Sequence, residues 1–472
     1  MPELHDLSAL DQASVIRRRE VSPVELVRHY LERIERLSDT VGAFVTVTGE
    51  AALEQAAAAE QAVLSDGDLP PLHGVPLAVK DLNLTAGVRT TFGSACFADF
   101  VPPIDDHVVT LLRQAGTISL GKTSTPELGL PCYTEPEVAP PARTPWDLDR
   151  SAGGSSGGAA AAIAAGLVPF AQGSDGGGSI RIPASACGLF SIKVSRGRVS
   201  NGPLGGDITG LAWSGPIARS VADAAALLDV MARPMLGDPH WAPPLPPGET
   251  FLGAAQRDPG PLRIGRYSES AVPGATLHPD CRAAWESATE LLTKLGHHVE
   301  DIRPPVGPEV IPHFVVVWSV SSTGMPLDPA REGELRPLTQ WLRERGRAAS
   351  GPEFTDALRG LQIAARRIIG ESAAYDAVLT PTLAQPPALV GELRDDSDPA
   401  ADFDKQMRFT PYTAVYNMTG QPAVNVPLHW SADGLPIGVM LIGRPADEVT
   451  LLSLSAQLEA ASPWHDRHPG CW

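Results

Sequence analysis

A chain of 472 residues with 43% hydrophobic and 19% charged side chains has the composition of a globular protein with ample material for a large buried core, and is neither disordered nor fibrous. Its 37 basic against 55 acidic residues leave a formal net charge of −18, which argues against nonspecific binding to nucleic acid or to an anionic membrane surface. The five cysteines, Cys96, Cys132, Cys187, Cys281 and Cys471, are odd in number and never form a Cys-x-x-Cys pair, so neither a disulfide framework nor a zinc site is expected, and the thiols read as free in a reducing compartment.

The opening Met1-Pro2-Glu3-Leu4-His5-Asp6 lacks the basic stretch and apolar core of a secretory signal, which with the free thiols points to a cytoplasmic location. Ser22-Pro23-Val24-Glu25 reads as a capping box with proline at the first helical position. It predicts a helix with Leu26, Tyr30, Ile34 and Leu37 on one packing face, inside an N-terminal helical region spanning 1–60. Leu72 to Val79 is an apolar, strand-like run that ends in Lys80 and Asp81. Val108 to Ala115 then has the pattern of a helix and Thr117 to Leu120 that of a strand. Between them Gly116-Thr117-Ile118-Ser119-Leu120-Gly121-Lys122-Thr123 satisfies the phosphate-loop pattern G-x-x-x-x-G-K-[ST]. A phosphate loop follows a strand and opens a helix; here the order is reversed and Pro126 follows closely, so nucleotide binding is not expected. The embedded Ser119-x-x-Lys122 lacks the Lys-Thr-Gly partner of penicillin-binding enzymes.

Two glycine-framed serine loops come next. Gly153-Gly154-Ser155-Ser156-Gly157-Gly158 runs into the strong helix former Ala159 to Ala165, so its serines arrive at a helix N-terminus, where free N–H groups collect. Gly173-Ser174-Asp175-Gly176-Gly177-Gly178-Ser179-Ile180-Arg181 follows. Isolated Gly/Ser clusters are usually linkers, but serine becomes a nucleophile beside a base and beside backbone N–H groups aimed at the developing oxyanion, and glycines let the backbone come that close. The Pro-rich segments Pro234 to Pro261 and Asp395 to Asp404 look like surface excursions. The near-apolar run Gly157 to Ala171 is too short and too broken to span a bilayer. Twelve dispersed histidines offer no i, i+4 pair, and neither metal nor cofactor is expected. Strands and helices alternate without a linker-like break, so one α/β unit with a mixed sheet is favoured over the two or three domains that length alone suggests.

These motifs together resemble the amidase signature family, whose members use a Ser-Ser-Lys triad. The intervals Lys80 to Ser155 and Ser155 to Ser179 match that pattern. The resemblance implies Ser179 as acyl-accepting nucleophile, Ser155 as a bridging serine preceded by a cis peptide bond, Lys80 as base, and the amides of Gly176, Gly177, Gly178 and Ser179 as the oxyanion hole. It also implies a single domain over 1–472 with a mixed, mostly parallel central sheet covered by helices on both faces, residues 72–200 forming the catalytic core and 261–472 completing sheet and pocket. The chain departs from the pattern at Gly176, where a threonine or isoleucine is usual, and at Ser191-Ile192-Lys193-Val194, where Gly-Leu-Lys-Pro is usual, so a changed turn near the site is expected.

The chemistry can be argued without the family. The chain uses five lysines against 32 arginines. Arginine keeps its proton in a protein, whereas a desolvated lysine gives it up, and lowering a lysine from about 10.4 to about 7 corresponds to about 4.6 kcal/mol, within what burial supplies. A bridging hydroxyl at Ser155 accepts from one partner and donates to another, so it suits a proton relay between Ser179 and Lys80. Asp175 and Arg181 read as braces of the loop. Leu130, Tyr133, Trp318 and Tyr412, in apolar or aromatic segments near turns, are candidate pocket residues for an apolar or aryl group of a small amide, ester or carbamate; Val315 to Val317 and Trp318 also fit a plain core role. The leading expectation is a free-standing amide hydrolase, monomeric or homodimeric. The alternatives are the A subunit of a glutamine-dependent amidotransferase and a non-catalytic binding protein on the same scaffold.

Overall fold

In a computed structural model that describes residues 3–65, 68–205 and 207–472, eleven strands join into one sheet. They are β1 (Phe44–Val47), β2 (Pro76–Lys80), β3 (Ile118–Thr123), β4 (Phe170–Asp175), β5 (Phe190–Lys193), β6 (Trp213–Ala218), β7 (Arg263–Arg266), β8 (His298–Asp301), β9 (Ala377–Pro381), β10 (Ala423–Trp430) and β11 (Pro436–Gly443). Their order is β1-β3-β2-β4-β6-β5-β10-β11-β9-β7-β8. The sheet is mixed, as the alternation of elements implies, but it is not mostly parallel: six of its ten neighbouring pairs are antiparallel. A short connection accounts for one of the six. β10 and β11 are joined by a turn in which Ser431 N donates to Leu435 O and Gly434 N to Ser431 O, and such a link permits only an antiparallel pair. β6 inserts between β4 and β5, antiparallel to both.

Strands β2, β6, β9 and β11 are buried at every residue. Successive side chains of a strand point to opposite faces, so both faces of the sheet are covered. The helix Gly157–Ala164 packs on β2, β3, β4 and β6, and Glu448–Ala461 on β10 and β11. Helix Pro23–Val41 starts as expected, with the Ser22 hydroxyl accepting from Glu25 N and proline in the first turn, and buries Leu26, Tyr30 and Ile34, with Leu37 half-buried. The reciprocal two-bond box forms instead at Ser350 and Glu353, opening Gly351–Ser372. Met1 and Pro2 of the opening stretch lie outside the described residues.

Two excursions need correction. The stretch 234–261 contains a short helix, Phe251–Ala255, that buries Phe251 and Ala254, and Asp395 to Asp404 runs into helix Pro399–Phe409, capped by Asp398. Asp402, wholly buried, accepts from the Tyr133 hydroxyl at 2.7 Å. Among the described residues no helix is long and apolar enough to cross a membrane, and the five cysteines are unpaired.

Candidate active site

β2 and β4 run parallel, with Ala78 opposite Ala171 and Val79 opposite Gln172, so their carboxyl ends finish side by side. That edge of an α/β sheet is where side chains can converge on a ligand. Lys80, the last residue of β2, is wholly buried. Its Nζ donates to Ser155 Oγ at 2.8 Å and to Ser174 O at 3.1 Å. Asp81, the residue a surface lysine would have paired with, faces Lys122 instead at 3.4 Å, and Lys122 also donates to Asn83 O and Thr90 Oγ1. The lysine of the phosphate-loop look-alike is thus a buried strut in β3.

Ser155 and Ser156 precede helix Gly157–Ala164, and the Gly154–Ser155 peptide is cis. Thr125 Oγ1 donates to Ser155 O, and Ser156 N donates to Ser179 O at 3.1 Å, which ties the first serine loop to the second. The second loop leaves β4 at Asp175 and enters helix Arg181–Cys187. Asp175 organises it: its carboxylate accepts from Gly178 N at 2.7 Å, Ile180 N at 3.2 Å, and Arg181 Nε and Nη2 at 2.9 and 3.0 Å. The bracing role read from the sequence holds. Burial alone would raise the Asp175 carboxyl, but the Arg181 guanidinium and its hydrogen bonds outweigh that and hold it well below the usual carboxylate range.

This bracing bears on the amides expected to meet an oxyanion. The Gly178 amide is committed to Asp175, whereas those of Gly176, Gly177 and Ser179, residues that line the cavities, have no hydrogen-bond acceptor among the described residues. Gly178 is required for shape, since at φ 136° an added Cβ would stand 2.4 Å from Thr413 Oγ1. The Ser179 hydroxyl is likewise free of protein partners among the described residues and lines the cavity.

Burial pushes the Lys80 amine down to about 7, with the Asp175 carboxylate pulling the other way. Lys193 falls to about 7 and Lys122 to about 8, also chiefly through burial. A lowered pKa therefore does not single out Lys80. Geometry does: Lys193 Nζ donates to Val194 O, and only Lys80 reaches a serine of the loops.

Of the pocket candidates, Leu130 and Trp318 line the cavity beside Ser179. Tyr133 and Tyr412 do not. Tyr133 is turned back onto Asp402 and Tyr412 onto Ser268 O at 2.7 Å, because a buried phenol needs a partner for its hydroxyl and finds it away from the cavity. In helix Val310–Ser322 the two readings divide by face: Val317 is core, while Phe314 and Trp318, stacked 5.5 Å apart, face the cavity. Ser191 and Val194 are buried in and just after β5 and line neither cavity at Ser179, so that departure leaves the pocket wall untouched. Sequence reading did not single out Asn417: its Nδ2 donates to Asp175 O and Oδ1 at 2.9 Å, and its Oδ1 accepts from Arg181. It also missed Thr413, which donates to Gly177 O at 2.6 Å. The asparagine's place before an αL glycine, Gly420, was the only local hint.

Comparison with known proteins gives the family and the fold. The family model described as Amidase matches residues 25–452. A putative amidase of Synechocystis is 39% identical over 96% of this chain and 88% of its own length. The 6-aminohexanoate-cyclic-dimer hydrolase of Paenarthrobacter ureafaciens is 34% identical over 98% of this chain and 96% of its own, and a solved structure of a 6-aminohexanoate cyclic dimer hydrolase superposes with a TM-score of 0.91 at 32% identity over the whole of both chains. A bacterial aryl acylamidase structure gives a TM-score of 0.88 at 26% identity, covering 98% of this chain and 97% of that one.

Proposed function

Because the chain belongs to the amidase signature family, hydrolases of carbon–nitrogen bonds, we propose that it cleaves small carboxamides on its own through an acyl-enzyme on Ser179, with Ser155 and Lys80 as proton relay. The observation that carries this is the 2.8 Å contact between a wholly buried lysine amine and Ser155. At a pKa of about 7 the amine is substantially neutral at neutral pH. With one N–H on Ser174 O, its lone pair then takes the Ser155 proton as Ser155 takes that of Ser179.

Ser179 Oγ adds to the carbonyl carbon, and the oxygen's developing charge is met by the amides of Gly176, Gly177 and Ser179. Collapse breaks the C–N bond and the departing nitrogen receives the proton from Lys80 through Ser155. Water repeats the cycle on the acyl-enzyme and releases the acid. Esters and carbamates present the same carbonyl to the same serine. The relatives' substrates, a cyclic amide dimer and aryl acylamides, support a small amide of apolar character.

The test uses the purified chain alone with p-nitroanilides, primary amides, p-nitrophenyl esters, aryl carbamates and glutamine. Anilide hydrolysis that disappears in Ser179→Ala, together with labelling by a fluorophosphonate at Ser179, is expected. Activity on glutamine alone, or stoichiometric labelling at Ser155, overturns the reading.

A further inference from the structure

Two cavities of different character meet at Ser179. One is lined by apolar side chains such as Ile182, Val310, Phe314, Met407 and Val415, with no charged residue among the described ones. The other mixes apolar side chains such as Leu211 and Phe354 with Asn83, Ser155, Asp106 and Asp207, so that its wall carries carboxylates but, among the described residues, no lysine or arginine. Ser179, Leu130 and Trp318 belong to both walls. Trp318 is the partition: it lines both cavities, and its ring lies 3.4 Å from where a side chain at Gly176 would stand.

Ser155 lines only the second cavity, and this fixes a direction. The proton released by Ser179 must return to the amide nitrogen through Ser155, so the nitrogen leaves on the Ser155 side and the acyl half stays in the apolar cavity. In the balance of the first step the Ser179 Oγ–carbon bond forms, the C–N bond breaks, and one proton passes from Ser179 to the amine. On the amine side the charged groups are carboxylates. Asp106 Oδ2 already takes Asn83 Nδ2 and Leu84 N, both at 3.0 Å, and Asp207 takes the amides of Thr209, Leu211 and Ala212. A second carboxylate brought in with the amine meets like charge, since the cations near these two carboxylates, Lys122 and Arg196, do not line the cavity.

We propose that the preferred substrate is an amide of an uncharged, apolar acid, alkyl or aryl, with a neutral or cationic amine half, and that Trp318 sorts the two halves. This rests on the acyl-enzyme reading above.

Two matched substrate series test it. With p-nitroaniline held constant, kcat/KM rises about fourfold per methylene from acetyl to hexanoyl, and succinyl falls at least about a hundredfold below butyryl, since a carboxylate is desolvated there unpaired. With hexanoyl held constant, an amine half ending in ammonium exceeds one ending in carboxylate at least about tenfold. Trp318→Ala flattens the acyl series, and Ile311→Phe, which fills the apolar cavity, shortens the longest acyl chain accepted. Succinyl matching butyryl, anionic amines matching cationic ones, or Trp318→Ala leaving both series unchanged overturns the assignment. Alkyl fluorophosphonates of increasing chain length separate the two levels. Absence of labelling at Ser179 sinks the acyl-enzyme reading, whereas labelling at Ser179 without preference for the longer chain sinks only the assignment of the apolar cavity.

Discussion

Asp175 and Arg181 form a wholly buried ion pair closed by two hydrogen bonds, Nε to Oδ2 at 2.9 Å and Nη2 to Oδ1 at 3.0 Å. The same carboxylate carries the amides of Gly178 and Ile180 on either side of Ser179. Ser179, the proposed nucleophile, is therefore suspended from a wholly buried charge pair, and Asn417 and Thr413, far along the chain, complete the suspension.

Removing one charge from that pair leaves the other stranded. Asp175→Asn is expected to destabilise the protein by about 3–5 kcal/mol, read as a fall in thermal unfolding temperature, and to reduce turnover. Because the folded-state carboxyl lies below its unfolded value, the stabilisation is complete at neutral pH and is lost only as pH falls through the folded pKa. A parent-like melting temperature in Asp175→Asn at pH 7 would show that the pair braces nothing.

Neighbouring glycines in the loop have opposite prospects. Gly178→Ala meets Thr413 and Ile182 at 2.4 and 2.6 Å in a backbone region that side chains rarely adopt, whereas an added Cβ at Gly176 meets Ala212 and Trp318 at 3.4 Å and needs no unusual φ. Gly178→Ala should lose at least about a hundredfold in kcat, the size of effect seen when an oxyanion donor is misplaced. Gly176→Ala should fold and stay within about tenfold of the parent. Equal losses in the two variants, measured as kcat with circular dichroism as a fold control, would contradict this division.

The elements that carry the site were legible because each has a local signal. An apolar run ending in lysine gave β2, an alanine run after Ser156 gave its helix, and glycines marked the loop after β4. Strand sense was not legible, since most antiparallel pairs join strands distant in sequence, as where β6 inserts between β4 and β5. Neither was side-chain direction. Tyr133 and Tyr412 sit near turns beside the pocket, yet each hydroxyl is drawn to an acceptor from a distant segment, Asp402 and Ser268. Which glycine amides stay free likewise depends on where Asp175 points, a fact of tertiary structure that no spacing records.

Three lysines are buried in the core, and pH can tell them apart. If Lys80 must be neutral to accept a proton, the rate rises about tenfold per pH unit below its pKa and levels off above about 7. Lys193, lowered as far as Lys80, touches neither serine loop through its amine, so a Lys193→Met enzyme should keep this acid limb. Lys80→Arg should be inactive at every pH, because the guanidinium keeps its proton. A limb that vanishes with Lys193→Met, or activity in Lys80→Arg with the parent's profile, would remove Lys80 from the relay.

The proposed relay has two tasks, and substrates separate them. Taking a proton from Ser179 is needed for any carbonyl, but returning it is needed only when the leaving group is poor. An amine cannot depart as an anion, whereas nitrophenolate can. Lys80→Ala should therefore lower p-nitrophenyl ester hydrolysis by the activation component alone, and amide hydrolysis by that component multiplied by the second. The expected outcome is a drop in kcat/KM at least about a hundredfold larger for an alkyl amide than for the nitrophenyl ester of the same acid, consistent with the 10²–10⁴-fold usual for one general acid–base step. Using one acid for both substrates keeps the acyl contacts constant, so the ratio isolates the leaving group. Equal losses on amide and ester would mean that Lys80 acts only in raising the nucleophile, and that the amine takes its proton from elsewhere.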